Sequence, residues 1–186
     1  MPNKIKYGLK NVHVAIQTET EGAYSYGTPQ AIPGAVSLSL EAQGEVTPFY
    51  ADDIVYYSTS GNNGYSGDLE MAILNDWFRT NILGEVADTN GVLAESANGS
   101  EAVRFALLFE FQGDQKAIRH VMYNCTASRP AVGSQTKEDN VSPQTESVTI
   151  TCSPRADGLV KTRTGDDVAD ATYTGWYTAV YVPVSA

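Results

Sequence analysis

Residues 62–85 constrain the fold more than any other stretch of this chain. They read Asn-Asn-Gly-Tyr-Ser-Gly-Asp-Leu-Glu-Met-Ala-Ile-Leu-Asn-Asp-Trp-Phe-Arg-Thr-Asn-Ile-Leu-Gly-Glu. Asn63-Gly64 is a turn signal, because glycine accepts a positive φ without a Cβ clash. Leu69, Met71 and Ile73 then alternate with Asp68, Glu70 and Ala72, the period of a strand that is wet on one face. Asn75 or Asp76 can cap a short helix over about 75–83, and Gly84 can end it in a left-handed conformation. One small helix is thereby set inside a chain that otherwise reads as strands.

The strongest of those strands is 103–111. Val103, Phe105, Leu107, Phe109 and Phe111 fall on one face, and Arg104, Ala106, Leu108 and Glu110 on the other. Five large apolar side chains in phase mark a core strand, each contributing ~1.5–3 kcal/mol when buried. Further strands are expected over 11–18, with Val12, Val14 and Ile16 inward and His13 and Ala15 on the other side, and over 92–95 and 118–127. In 36–41, Val36, Leu38 and Leu40 should face the core while Ser37, Ser39 and Glu41 face outward. Val148, Ile150 and Cys152 are in phase within 146–152, and a last strand over 175–183 should end at Pro183. Turn-rich or polar connections are expected at 19–34, 128–144 and 153–174, with a hairpin turn at Asp88-Thr89-Asn90-Gly91. The fold class is therefore mainly β: a β-sandwich or barrel with one flanking helix. No internal repeat or compositional break divides the chain, so 1–186 is expected to be a single domain, with an N-terminal arm over 1–10 and a long hairpin or loop over 43–66.

Several function classes are disfavoured. Lys and Arg total 12 against 22 Asp and Glu, a formal charge of −10, whereas phosphate binders carry the opposite balance. Lys161 and Arg163 are the nearest approach to a basic run, and alternate cations on a strand suit an exposed edge. No apolar run approaches the roughly 20 residues of a membrane span, and the first residues lack a signal-peptide core. A protein made in a cytoplasm, with no membrane partner, is expected. Cys125 and Cys152 then read as free thiols in strands that could neighbour each other. No catalytic, cofactor or metal site is expected. His13 and His120 are the only histidines, and the pairs Asp52-Asp53 and Asp166-Asp167 read as solvated turn residues. No Gly-x-Ser-x-Gly elbow or phosphate-cradling glycine loop occurs.

Aromatic residues are conspicuous in 43–66, where Phe49, Tyr50, Tyr56 and Tyr57 stand near Asp52 and Asp53. With Tyr65, Trp176, Tyr177 and Tyr181 they suit three uses: a protein contact surface, ordinary sheet packing, or stacking on sugar rings.

A series of passages along nearly the whole chain resembles the major tail protein family, the tail tube proteins of long-tailed phages that infect Gram-positive bacteria. They are Tyr7-Gly8-Leu9-Lys10-Asn11-Val12-His13, Pro33-Gly34-Ala35-Val36, Phe49-Tyr50-Ala51-Asp52, Asn63-Gly64-Tyr65, Leu69-Glu70-Met71-Ala72, Trp77-Phe78-Arg79-Thr80, Arg119-His120-Val121, Tyr123-Asn124-Cys125, Ser128-Arg129-Pro130, Ser153-Pro154-Arg155 and Trp176-Tyr177. The resemblance implies a structural virion protein of the tail: six copies form a ring, and stacked rings form the tube through which DNA leaves the capsid. It implies partners as well: further copies of itself, the tape measure protein, tail terminator and initiator proteins, and genomic DNA that passes without sequence-specific binding. Within that frame Ser37, Ser39, Glu41, Asp68 and Glu70 are candidate lumen residues, because carboxylates let phosphates slide rather than stick. Phe49, Tyr50, Asp52, Asp53, Tyr56 and Tyr57 are candidates for contacts between rings or subunits, with 1–10 and 128–144 as weaker ones. The tube of a phage-tail-like bacteriocin, or a carbohydrate-binding β-sandwich, are the alternative readings.

Overall fold

The computed structural model describes residues 3–97, 102–136 and 143–184. The strands are β1 (Lys6–Thr20), β2 (Ala23–Tyr26), β3 (Gln30–Ala31), β4 (Ala35–Ala42), β5 (Val46–Ala51), β6 (Ile54–Ser60), β7 (Tyr65–Met71), β8 (Val86–Ala87), β9 (Leu93–Ala94), β10 (Phe105–Gly113), β11 (Ile118–Ala127), β12 (Glu146–Cys152) and β13 (Lys161–Arg163). Helix α1 is Asp76–Asn81 and α2 is Asp170–Thr174, which runs into a 3-10 turn at Gly175–Tyr177.

Nine strands form one sheet in the order β2-β1-β10-β11-β12-β7-β4, with β3 also on β1 and β13 also on β11. Each of its pairings is antiparallel. The sheet curls until β4 approaches β1, and the enclosed space holds the larger core. Val14, Leu69, Met71, Phe105, Leu107, Val148 and Ile150 fill it, and Phe78 of α1 is completely buried there. Asn75 starts that helix, its Oδ1 accepting from Phe78 N at 2.9 Å, and Gly84 beyond its end has φ +77°.

β10 is buried on both sides. Phe105, Leu107 and Phe109 enter the larger core, whereas Ala106 and Leu108 join Ala15, Val121, Tyr123 and Trp176 in a second cluster on the opposite face. The C-terminal segment covers that face. Residues 175–183, expected as a strand, are instead the 3-10 turn and irregular chain, so Pro183 ends no ladder. Trp176 explains this: its indole is 2% exposed, buried over β10 and β11, a seat supplied by a turn lying across the sheet. The edges of the sheet also take more of the chain than expected. β2 and β3 lie inside 19–34, and β13 lies inside 153–174.

Three further expectations need correction. Residues 6–10 of the expected arm belong to β1 and pair with β10, and Asn3 is tied to the 113–116 turn by bonds to Gln115, Lys116 and the Lys116 carbonyl. Val36 is exposed, because a bulge between Ala35 and Ser37 shifts the phase and Ala35 packs on the core in its place. Ile73 is exposed as well: β7 stops at Met71, and Leu74 turns inward ahead of the helix. Of the connection 128–144, residues 137–142 lie outside the described residues, as do 1–2 of the arm.

Candidate assembly surfaces

β4, β7 and β12 lie side by side, and their outward residues meet in register. Ser37 stands opposite Glu70 and Ser39 opposite Asp68, while across β7 the same two carboxylates face Ser147 and Thr149. Glu41 continues the row opposite Ser66, which itself faces Thr151. Ser37, Ser39, Glu41, Asp68 and Glu70 therefore lie on one polar face. Their inward neighbours Leu38, Leu40, Leu69, Val148 and Ile150 anchor the face to the core.

Hydroxyls hold the carboxylates in place. Ser37 Oγ donates to Glu70 Oε2 at 2.8 Å and Thr145 Oγ1 to Glu70 Oε1 at 2.6 Å. Thr149 Oγ1 donates to Asp68 Oδ1 at 2.8 Å. The bonds from Thr145 and Ser37 favour the ionised form and hold the Glu70 carboxyl below its ordinary range. The face is thus a lattice of hydroxyls and anions with no lysine or arginine among these positions. Ser147, Thr149 and Thr151 were not singled out from the sequence, although their alternation with Val148, Ile150 and Cys152 carries the same period-two signal.

The ribbon of β4 and β7 continues past its last pair, Ala42–Tyr65, as an arm made of β5 and β6. Gln43 N bonds the Gly64 carbonyl and Gly61 N the Glu45 carbonyl, so the two strands stay joined through the root. Asn63-Gly64 is accordingly a kink in this ribbon rather than the tip of a hairpin. The reversal lies at Asp52-Asp53, with φ of +51° and +61°, a two-residue loop whose left-handed pair suits aspartate. At the root, a Cβ on Gly44 would stand 2.0 Å from the Gly61 carbonyl oxygen, so the close crossing requires glycine there.

Among the described residues no other element covers the arm. Val46, Phe49, Tyr50, Ile54, Val55, Tyr56 and Tyr57 are each more than half exposed. A two-stranded ribbon with apolar residues on both faces is marginal alone in water, and a contiguous apolar surface of this kind marks an interaction site. Trp176 and Tyr177 belong to packing instead. Trp176 is buried, and Tyr177 stacks on His13 at 4.6 Å while donating to Glu110 Oε2 at 3.2 Å. Burial and the Glu110 charge push the Tyr177 hydroxyl pKa upward.

Among the described residues no three His, Cys, Asp or Glu side chains converge as a metal site would require, and no helix is long and apolar enough to cross a membrane. Cys125 and Cys152 are free, buried and directly opposite each other on β11 and β12, with their sulfurs 2.7 Å apart. Burial, first of all, raises the Cys125 thiol pKa.

A family model described as phage tail tube protein matches residues 3–180 of the chain. Among curated proteins no match is found.

Proposed function

The chain belongs to the phage tail tube protein family, and from that premise we propose that six copies close into a ring and that rings stack into the conduit for DNA ejection. Its role as a structural tail tube subunit, assembling with other tail proteins in the virion tail, follows from the family. The ring of six, the passage of DNA, assembly in the host cytoplasm, and the tape measure, terminator and initiator partners belong to the proposal. The observation that carries the stacking half of the reading is the arm: seven large apolar residues exposed on a two-stranded ribbon. Burying them against another copy removes apolar area at about 25 cal/mol per Å². Phe49, Tyr50, Asp52, Asp53, Tyr56 and Tyr57 are assigned to these contacts.

The lattice on β4, β7 and β12 is assigned to the lumen, with Ser37, Ser39, Glu41, Asp68 and Glu70 and their neighbours on β12. Fixed carboxylates repel phosphates within a Debye length of about 8 Å, and the absence of cations from these positions leaves a passing polyanion nothing to bind. The test uses two variants. Deleting 47–57 should leave a folded subunit that builds no tube, as seen by negative-stain microscopy; tubes of normal length would refute the stacking assignment. Reversing Glu41 and Asp68 to Lys should permit assembly but slow DNA release, and unchanged ejection kinetics would remove these residues from the lumen.

A further inference from the structure

Next to the root of the arm the curled sheet is not closed. Leu38 and Leu40 of β4 stand across an open groove of about 330 Å³ from Phe109 and Phe111 of β10. The groove combines two properties. Its floor is aromatic: His120 lies flat on Phe109 at 5.1 Å and edge-on to Phe111 at 5.4 Å. Its rim is cationic. Lys6 Nζ sits 5.1 Å from the Phe111 ring centre, and Lys161 Nζ reaches Tyr65 Oη at 2.5 Å. Among the described residues neither ammonium has a carboxylate partner, because every ion pair there uses an arginine. His120 registers the local field. Burial first, and then the charges of Arg163, Lys161 and Lys6, push its pKa down to about 4.

In a chain of net charge −10, a cationic groove with an aromatic floor is the inverse of one other surface, the arm's tip. There Asp52 and Asp53 project among Phe49, Tyr50 and Tyr56. A strand of six residues at about 3.3 Å each sets the tip of the extended arm roughly 20 Å from its root, away from the groove beside its own base. An arm from another molecule can reach it. We propose that the groove seats the arm tip of a second copy of this chain, with Lys6 and Lys161 pairing Asp52 and Asp53 while the ring floor covers the tip's aromatics. The proposal rests on the tube reading above and specifies which surface receives the arm.

A charge swap tests it. The full chain carrying Lys6→Glu with Lys161→Glu, Asp52→Lys with Asp53→Lys, or all four changes is supplied to a phage lacking its own copy, and tailed particles are counted by negative-stain microscopy. Each pair alone should cut tailed particles at least tenfold, and the four together should restore at least a third of the parental number. Asp52→Asn with Asp53→Asn keeps residues suited to the left-handed turn and should also lose tails. A lysine pair that assembles at the parental level, or a four-fold variant no better than its parts, overturns the proposal. The deletion of 47–57 separates the two ideas: tails built without the arm refute the tube contact itself, whereas tails lost on deletion but kept by the lysine pair refute the groove alone. Photo-crosslinking from p-benzoylphenylalanine at Tyr56, with both lysines intact, gives a readout free of folding effects. The expected crosslink joins it to peptides of β10, β11 or β13 from another copy; crosslinks confined to other elements, or lysine-dependent binding of short DNA with no effect of the swap on tails, overturn the assignment.

Discussion

Replacing Glu110 by alanine should unfold the C-terminal packing at much lower denaturant. Glu110 is 6% exposed, and its carboxylate accepts from Arg119 Nε at 3.0 Å, Asn11 Nδ2 at 2.7 Å and Tyr177 Oη at 3.2 Å. The charge-assisted bond to Arg119 contributes about 1.5–3 kcal/mol and the two neutral donors about 1 kcal/mol each. Removing one partner of a buried pair costs about 3–5 kcal/mol because the other charge stays behind. Arg119 keeps some compensation, since its guanidinium lies 3.8 Å from the Tyr173 ring centre and donates to the Tyr173 carbonyl. The expected loss is therefore at the lower end, about 3 kcal/mol. Urea unfolding at pH 7, followed by tryptophan fluorescence and far-ultraviolet circular dichroism, reads it as a fall in midpoint at constant m. Arg119→Met alone should cost a similar amount. The double variant Glu110→Met, Arg119→Met should cost clearly less than the two single losses added, because no charge is left stranded. A single loss under about 1 kcal/mol, or strict additivity in the double variant, would refute the claim that this pair and its donors act as one unit.

Stability should fall in acid as the imidazole of His120 is forced to charge. Its folded pKa of about 4 lies below the ordinary 6.5, so its contribution is complete above pH 6.5 and is lost as pH drops through 4; His120→Phe should flatten that part of a urea-midpoint curve relative to the parent. In alkali the sign reverses at Tyr123, whose hydroxyl is raised from 10 to about 12 by burial, so stability should decline from pH 10 upward and Tyr123→Phe should decline less. Cys125 and Cys152, both buried, should resist a disulfide reagent at pH 8 in the native chain and titrate as two thiols after unfolding in urea. Gly44→Ala should leave the core intact but re-aim the arm, because its Cβ would meet the Gly61 carbonyl; near-parental unfolding with loss of tubes is expected, and normal tubes would show that the arm's angle is not critical.

The elements legible in the sequence are those whose cause is local. Alternation places β7, β10 and β12, and Asn75, Phe78 and Gly84 define α1 through its cap, its buried face and its exit. The polar face was legible too, since Ser37, Ser39, Asp68 and Glu70 follow from period two once each strand has an inner side. What escaped depends on partners distant in sequence. Trp176 and Tyr181 read as a strand because aromatics favour sheets, but their ring stack at 5.4 Å lies over β10 and β11, and no pattern within 175–183 encodes that cover. Val36 escaped through a bulge, which shifts phase without changing composition. The partnership of Lys6 with Lys161 was invisible for the same reason: 155 positions separate them, and only the closing of the sheet makes them one rim.

The polar face and the arm come from a single ribbon, and the change between them has a simple cause. From Ala35 to Ala42 and from Tyr65 to Met71 the ribbon has a core beneath it, so alternate residues differ in polarity. Beyond the Ala42–Tyr65 pair none of the described residues forms a core beneath it, yet large apolar residues continue, now on both faces. A soluble monomer gains nothing from that arrangement, because an uncovered apolar ribbon favours uncontrolled pairing. Asp52 and Asp53 at the tip and the net charge of −10 oppose such pairing without covering the surface. The arm's composition is therefore explained by the assembled state rather than by the fold of one chain. Because the same two strands carry both features, seating the arm on a neighbour, as proposed, would also fix the orientation of the polar face at its base.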